Sequence, residues 1–192
     1  MPILNSTLGY GALTKLLHWL IVLLFALQYL SATIMLRTPA EATTLGMEQA
    51  TYYNWHKSLG LVALAAALAR LLNRKTGTLP PWAPTLTALE QTIIHRAEQL
   101  LYAAMFIMPV SGFLYVMAGG YGVRLFGIFD LPNPVPSSPL LASAANWVHV
   151  ASSMLLLLPL GTHLGLVLGH HFGLKDRLIH RMLPVRPAES DR

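Results

Sequence analysis

Apolar positions in this chain come in long unbroken runs rather than alternating with polar ones. Leu16 to Leu36 supplies 21 residues without Asp, Glu, Lys or Arg, the length a helix needs to cross a bilayer. In the next run, Lys57 and Arg70 bracket twelve residues, and Tyr53 to Leu72 spans only if both cations snorkel or meet partners. A third run covers the uncharged stretch Gln99 to Val123, its helix beginning near Thr92, and a fourth lies between about Ala144 and Phe172. The pattern predicts spans near 14–36, 53–73, 92–118 and 144–172 in a single membrane domain, 1–192. Pro109 and Pro159 fall inside spans, where neighbouring helices can satisfy the freed carbonyls, and kinks are expected there. Between the spans, Arg37–Tyr52, Asn73–Gln91 and Gly119–Ser143 read as loops, the last two rich in Pro and Gly.

Composition supports an integral membrane protein. Only 11% of the residues are charged and 54% are hydrophobic, whereas a soluble domain carries about a quarter charged residues. The expected fold is an all-α four-helix bundle in the membrane. The net charge of +5 does not point to nucleic acid, because the basic residues sort by topology rather than forming a patch on a soluble face. With loops alternating in side, Lys15, Arg70, Arg74, Lys75, Arg96, Lys175, Arg177, Arg181, Arg186 and Arg192 share one side, and only Arg37, Lys57 and Arg124 lie opposite. The positive-inside rule then places both termini in the cytoplasm. The N-terminal apolar stretch is too long for a signal peptide and lacks a small-residue cleavage site.

With no cysteine, there is no thiolate ligand, disulfide or iron–sulfur cluster to consider, and histidine becomes the candidate for metal chemistry. His149 and His163 are 14 residues apart, a rise of about 21 Å on nearly one helix face. His18 enters early in the inside-to-outside span one, and His56 early in the returning span two. His18 therefore matches His163 in depth, and His56 matches His149. Facing imidazoles suit axial haem ligation or a share in a divalent-metal site. Haem fits better, since no Asp or Glu lies in the apolar core of any span to complete a zinc or di-iron site. A lone intramembrane His equally serves helix packing, but four at two matched depths make a pattern. Gly60, Gly161 and Gly165 lie close to these histidines, where a flat macrocycle would need clearance. Arg70, 14 residues after His56, is placed to pair with a propionate or to snorkel, and Lys57 has the same choice. His95 reads as an interfacial helix-end residue or part of a quinone or proton site. His170, His171 and His180, with Lys175, Arg177 and Arg181, read as a basic, lipid-facing tail.

Ordered segments strengthen this reading: Thr14-Lys15-Leu16-Leu17-His18-Trp19-Leu20, Asn54-Trp55-His56-Lys57-Ser58-Leu59-Gly60 with Ala69-Arg70-Leu71, Pro109-Val110-Ser111-Gly112, Trp147-Val148-His149, His170-His171-Phe172-Gly173-Leu174-Lys175-Asp176 and Leu178-Ile179-His180-Arg181-Met182-Leu183-Pro184. In these the chain resembles the bacterial cytochrome b561 family of four-helix, di-haem membrane proteins, including its superoxide oxidase type. The resemblance implies two haem b groups held by His18, His56, His149 and His163, a bacterial inner-membrane location, and ubiquinone as electron acceptor. The expected function is an oxidoreductase that takes electrons from periplasmic superoxide, steered by Lys57 and Arg124, or from a redox protein donor. The alternative is a cytochrome b subunit for a hydrogenase or other redox partner. A metal transporter using the histidines is disfavoured by the lack of core carboxylates. No catalytic residue is assigned.

Overall fold

The structure is a computed structural model that describes residues 2–176 and 178–184. Arg177, Arg186 and Arg192, three cations of the charge asymmetry, lie outside the described residues. Four helices carry the chain: α1 (Ala12–Arg37), α2 (Gln49–Thr76), α3 (Ala88–Ala118) and α4 (Pro139–Leu168). A π-helical turn, Gly169–Leu174, continues α4, and a 3-10 turn follows at Leu178–Arg181. All four helices are long and apolar enough to cross a membrane.

The helices run past the apolar stretches because polar caps extend them. At the start of α3 the Thr87 N–H donates to Glu90 Oε2 (2.8 Å) and the Glu90 N–H donates to Thr87 Oγ1 (3.3 Å), a reciprocal cap that satisfies two orphan donors. Helix α4 opens on Pro139, where a missing N–H is no loss, and the Leu141 N–H donates to Ser138 Oγ (3.3 Å). Arg74 and Lys75 close α2, where the negative end of the helix dipole favours cations. Helices α3 and α4 continue unbroken through Pro109 and Pro159.

Two small hairpins occur where the apolar pattern shows only loops. Strands β1 (Thr43–Thr44) and β2 (Met47–Glu48) pair antiparallel, as do β3 (Arg124–Leu125) and β4 (Phe129–Asp130). The first turns through Leu45 and Gly46 at φ 51° and 77°. Positive φ at both central residues is what a twist-matched two-residue hairpin demands.

The described residues fall into two compact units. One is drawn from residues 2–20, 67–103, 154–176 and 178–184, the other from Ile21–Ala66 and Ala104–Ser153; every long helix contributes to both. Many buried positions are small, such as Ala63, Ala66, Ala104 and Ala145 in the second unit and Ala67 and Ala97 in the first. Small residues let helix backbones approach where lipid supplies no hydrophobic drive. Large apolar side chains such as Leu16, Leu23, Leu100, Leu155 and Leu158 are exposed, as a lipid-facing surface requires.

In the first unit the chain after α4 folds back onto earlier elements. Lys15 Nζ donates to the Leu183 carbonyl (2.9 Å), Trp19 Nε1 to the Met182 carbonyl (2.8 Å) and Arg181 Nη2 to the Pro81 carbonyl (2.6 Å). The lipid-facing expectation fails for His170, which is only 2% exposed. Its Nδ1 lies 2.6 Å from Asp176 Oδ2 and its Nε2 lies 3.1 Å from Glu90 Oε1. Carboxylates from six residues later in the chain and from the start of α3 thus give the ring buried partners. His180 is exposed as expected, and its ring lies 5.9 Å from that of His171.

Candidate functional site

In the second unit, α2 presents His56 and α4 presents His149, with ring centroids 6.2 Å apart and planes at 86°. His149 Nδ1 donates to the Met108 carbonyl at 2.8 Å. A carbonyl can only accept, so the proton sits on Nδ1 and the Nε2 lone pair is free. His56 Nδ1 lies 3.1 Å from Ser31 Oγ. That hydroxyl gives its single proton to the Gln28 carbonyl (3.0 Å), so it accepts from Nδ1 and leaves Nε2 free here too. Gln28 Nε2 donates to the His56 carbonyl (3.1 Å), and Gln28 Oε1 is buried without a partner. Gly112 of α3 makes room for the second ring: a Cβ there would stand 2.9 Å from His149 Cε1 and Nδ1.

The first unit repeats the arrangement with His18 of α1 and His163 of α4, whose centroids are also 6.2 Å apart, at 66°. Arg70 Nε donates to Tyr102 Oη (3.2 Å) while Arg70 Nη1 is buried with no partner. A buried unpaired guanidinium nitrogen is costly and suits an anionic oxygen. Its neighbour Arg74 is already engaged, in a bidentate pair with Glu98 at 2.6 and 2.9 Å. Cβ atoms at Gly161 or Gly165 would meet nothing within 4 Å.

Lys57, expected near the outer pair, donates from Nζ to the Gly122 carbonyl (3.0 Å). It thus tethers the loop that carries the second hairpin, as does Ser58, whose Oγ accepts from the Phe126 N–H at 2.7 Å. Arg124 lies 3.8 Å from Asp130, both largely exposed. His95 is exposed and lies 3.2 Å from Gln99 Nε2. Outside the spans, burial pushes the Tyr10 hydroxyl above its ordinary pKa. Burial would also raise Asp176, but hydrogen bonds from His170, Thr85 and the Leu178 N–H outweigh it and hold the carboxyl below the usual range.

Haem passes the geometric test. Two imidazoles that would hold one metal ion from opposite sides, at about 2.0 Å per metal–nitrogen bond and about 1.1 Å from ring centre to nitrogen, would have centroids about 6.2 Å apart. Both pairs stand at 6.2 Å. Among the described residues no group of three or more His, Cys, Asp or Glu is arranged to hold a bare metal ion, whereas a macrocycle fills four positions itself and needs only two axial donors. Ser31, Gln28, Tyr102 and the clearance role of Gly112 were not singled out by the sequence reading. The signal for the first two was present, since Gln28 and Ser31 are polar residues one turn apart within the Leu16–Leu36 run.

The family model for prokaryotic cytochrome b561 matches residues 9–185. The chain is 25% identical over 191 residues to cytochrome b561 homolog 2 of Escherichia coli (strain K12), covering 95% of each. It is 25% identical to the probable superoxide oxidase CybB of Yersinia pestis over 91% of this chain and 96% of that one. Cytochrome b561 homolog 1 of Escherichia coli (strain K12) is 24% identical, over 88% and 94%.

Proposed function

Because the chain belongs to the prokaryotic cytochrome b561 family, whose members are membrane cytochromes with haem b, we propose that it holds two haems and oxidises a donor on one side of the membrane to reduce a quinone. The supporting observation is the equal 6.2 Å separation of His18 from His163 and of His56 from His149. Haem b bound there supplies reversible one-electron chemistry. The four histidines offer Nε2 donors, and the unpartnered Arg70 Nη1 pairs with a propionate of the first-unit group. Both termini face the cytoplasm, so the His56–His149 pair lies toward the periplasm.

The favoured donor is superoxide, as the name of the Yersinia pestis relative suggests, and the acceptor is ubiquinone. Two superoxide anions each lose one electron to give dioxygen, while one quinone takes up two electrons and two protons. The Lys57 cation and, more weakly, Arg124 beside Asp130 supply the positive field that speeds encounter with an anion. A second reading, a cytochrome b subunit for a hydrogenase or other redox enzyme, is favoured by exposed Tyr121, Ile128 and Phe129 on the long loop before α4. Stopped-flow mixing of purified, haem-quantified protein with superoxide separates them: the oxidase shows fast haem reduction that slows with ionic strength and slows more in Lys57→Gln than in Arg181→Gln. A protein that reduces only when a partner enzyme is added is the subunit.

A further inference from the structure

The two imidazoles of the second unit are held by different kinds of acceptor. His149 donates to a backbone carbonyl, that of Met108 at 2.8 Å, whereas His56 donates to a side chain, the Ser31 hydroxyl at 3.1 Å. Ser31 is itself fixed by its bond to the Gln28 carbonyl and is only 9% exposed. Gln28 completes the bracket by donating to the His56 carbonyl, and Gly60 leaves room for it, since a Cβ there would stand 3.0 Å from Gln28 Nε2. One turn of α1 therefore grips both the ring and the main chain of His56. Among the described residues, no ring hydrogen bond of this kind is made by His18 or His163. Polar side chains in a membrane helix are expensive, and plain packing against α2 would be met as well by alanine.

We propose that Ser31 is the positioning residue for His56 as an axial haem ligand, a role that rests on the bis-histidine reading above. Its hydroxyl fixes the Nδ1–H tautomer, points the Nε2 lone pair at the iron and keeps the ring near the 86° angle to His149. A hydrogen bond accepted from Nδ1–H also makes the imidazole a stronger donor, which favours ferric over ferrous iron. Loss of that bond raises the reduction potential of this haem and frees its ring to turn.

The test uses the full-length, haem-loaded protein with Ser31 changed to Ala, Cys or Thr, read by potentiometric titration and by the low-spin ferric EPR signal. In Ser31→Ala the second-unit haem shifts about tenfold toward the reduced form, about 59 mV for one electron. Its EPR signal loses the strong anisotropy of near-perpendicular imidazoles, and the first-unit haem stays unchanged. Ser31→Thr keeps the hydroxyl and restores the wild-type values; Ser31→Cys, a weak acceptor, falls between. If Ser31→Ala fails to retain haem, the Cys and Thr variants still decide the matter. Unchanged potential and EPR in Ala and Cys at full haem occupancy, or a shift in Thr as large as in Ala or Cys, overturns the proposal. Wild-type protein without a bis-histidine signal overturns the ligation reading instead.

Discussion

Replacing Gly112 by alanine sets two effects of opposite sign against each other. In an exposed helix interior Gly→Ala is favourable by about 1 kcal/mol, so α3 itself gains. The new methyl, however, stands 2.9 Å from His149 Cε1 and Nδ1, and ordinary carbon contacts begin near 3.5 Å. The obstacle is a stiff ring rather than a flexible chain end, so the imidazole must retreat by about half an ångström, stretching its 2.8 Å bond to the Met108 carbonyl. Overpacking of this kind costs about 1–3 kcal/mol and the weakened hydrogen bond about 1 kcal/mol. All of it falls on the haem-competent geometry, and each 1.4 kcal/mol is about a factor of ten in affinity. Gly112→Ala is expected to lower second-unit haem affinity at least several-fold while the first-unit haem stays at full occupancy. Pyridine haemochrome quantification per chain, with potentiometric titration to resolve the two centres, measures both. Full occupancy with unchanged potentials, or equal loss of both haems, would refute the reasoning.

His56→Ala and His149→Ala are expected to remove one and the same haem, and His18→Ala and His163→Ala the other; identical spectral losses for His56→Ala and His163→Ala would break the pairing. Asp176 is held below its ordinary pKa chiefly by hydrogen bonds that overcome burial, so its contribution to stability is present above about pH 4 and is lost as pH falls through its depressed value. Thermal unfolding against pH should therefore drop less steeply on acidification in Asp176→Asn than in wild type, and superimposable profiles would count against the linkage. A fluorescent protein fused at the C-terminus should glow and a periplasmic phosphatase fused there should be silent, the reverse outcome inverting the proposed sidedness.

The helices were legible because an uncharged run such as Leu16–Leu36 has little alternative to spanning a membrane. The histidine pairs were legible because helical rise converts sequence position into depth. What escaped needed knowledge of which faces meet. Ser31 and His56 are 25 residues apart on different helices, and nothing in either helix states their mutual rotation. The same holds for Gly112 beside His149. His170 was misplaced because its partner Glu90 is 80 residues away. The start of α3 at Ala88 rather than near Thr92 was missed as well, although its Thr87–Glu90 cap is a Thr-x-x-Glu motif within the stretch read as a loop.

The buried Lys15 sets an order of events during biosynthesis. The residue is 6% exposed and its carbonyl partner, Leu183, is made 168 residues later; Trp19 likewise waits for Met182. While the ribosome is still extending the chain, the Lys15 ammonium has no Leu183 carbonyl to donate to, and His18 has no His163 to face. Closure of such distant contacts comes late because their loop entropy is spent before any contact rewards it. The first unit is therefore the last part of the molecule to mature, and a ribosome stalled before Leu183 leaves a chain whose first helix is in place but whose first-unit histidine pair is not yet secured.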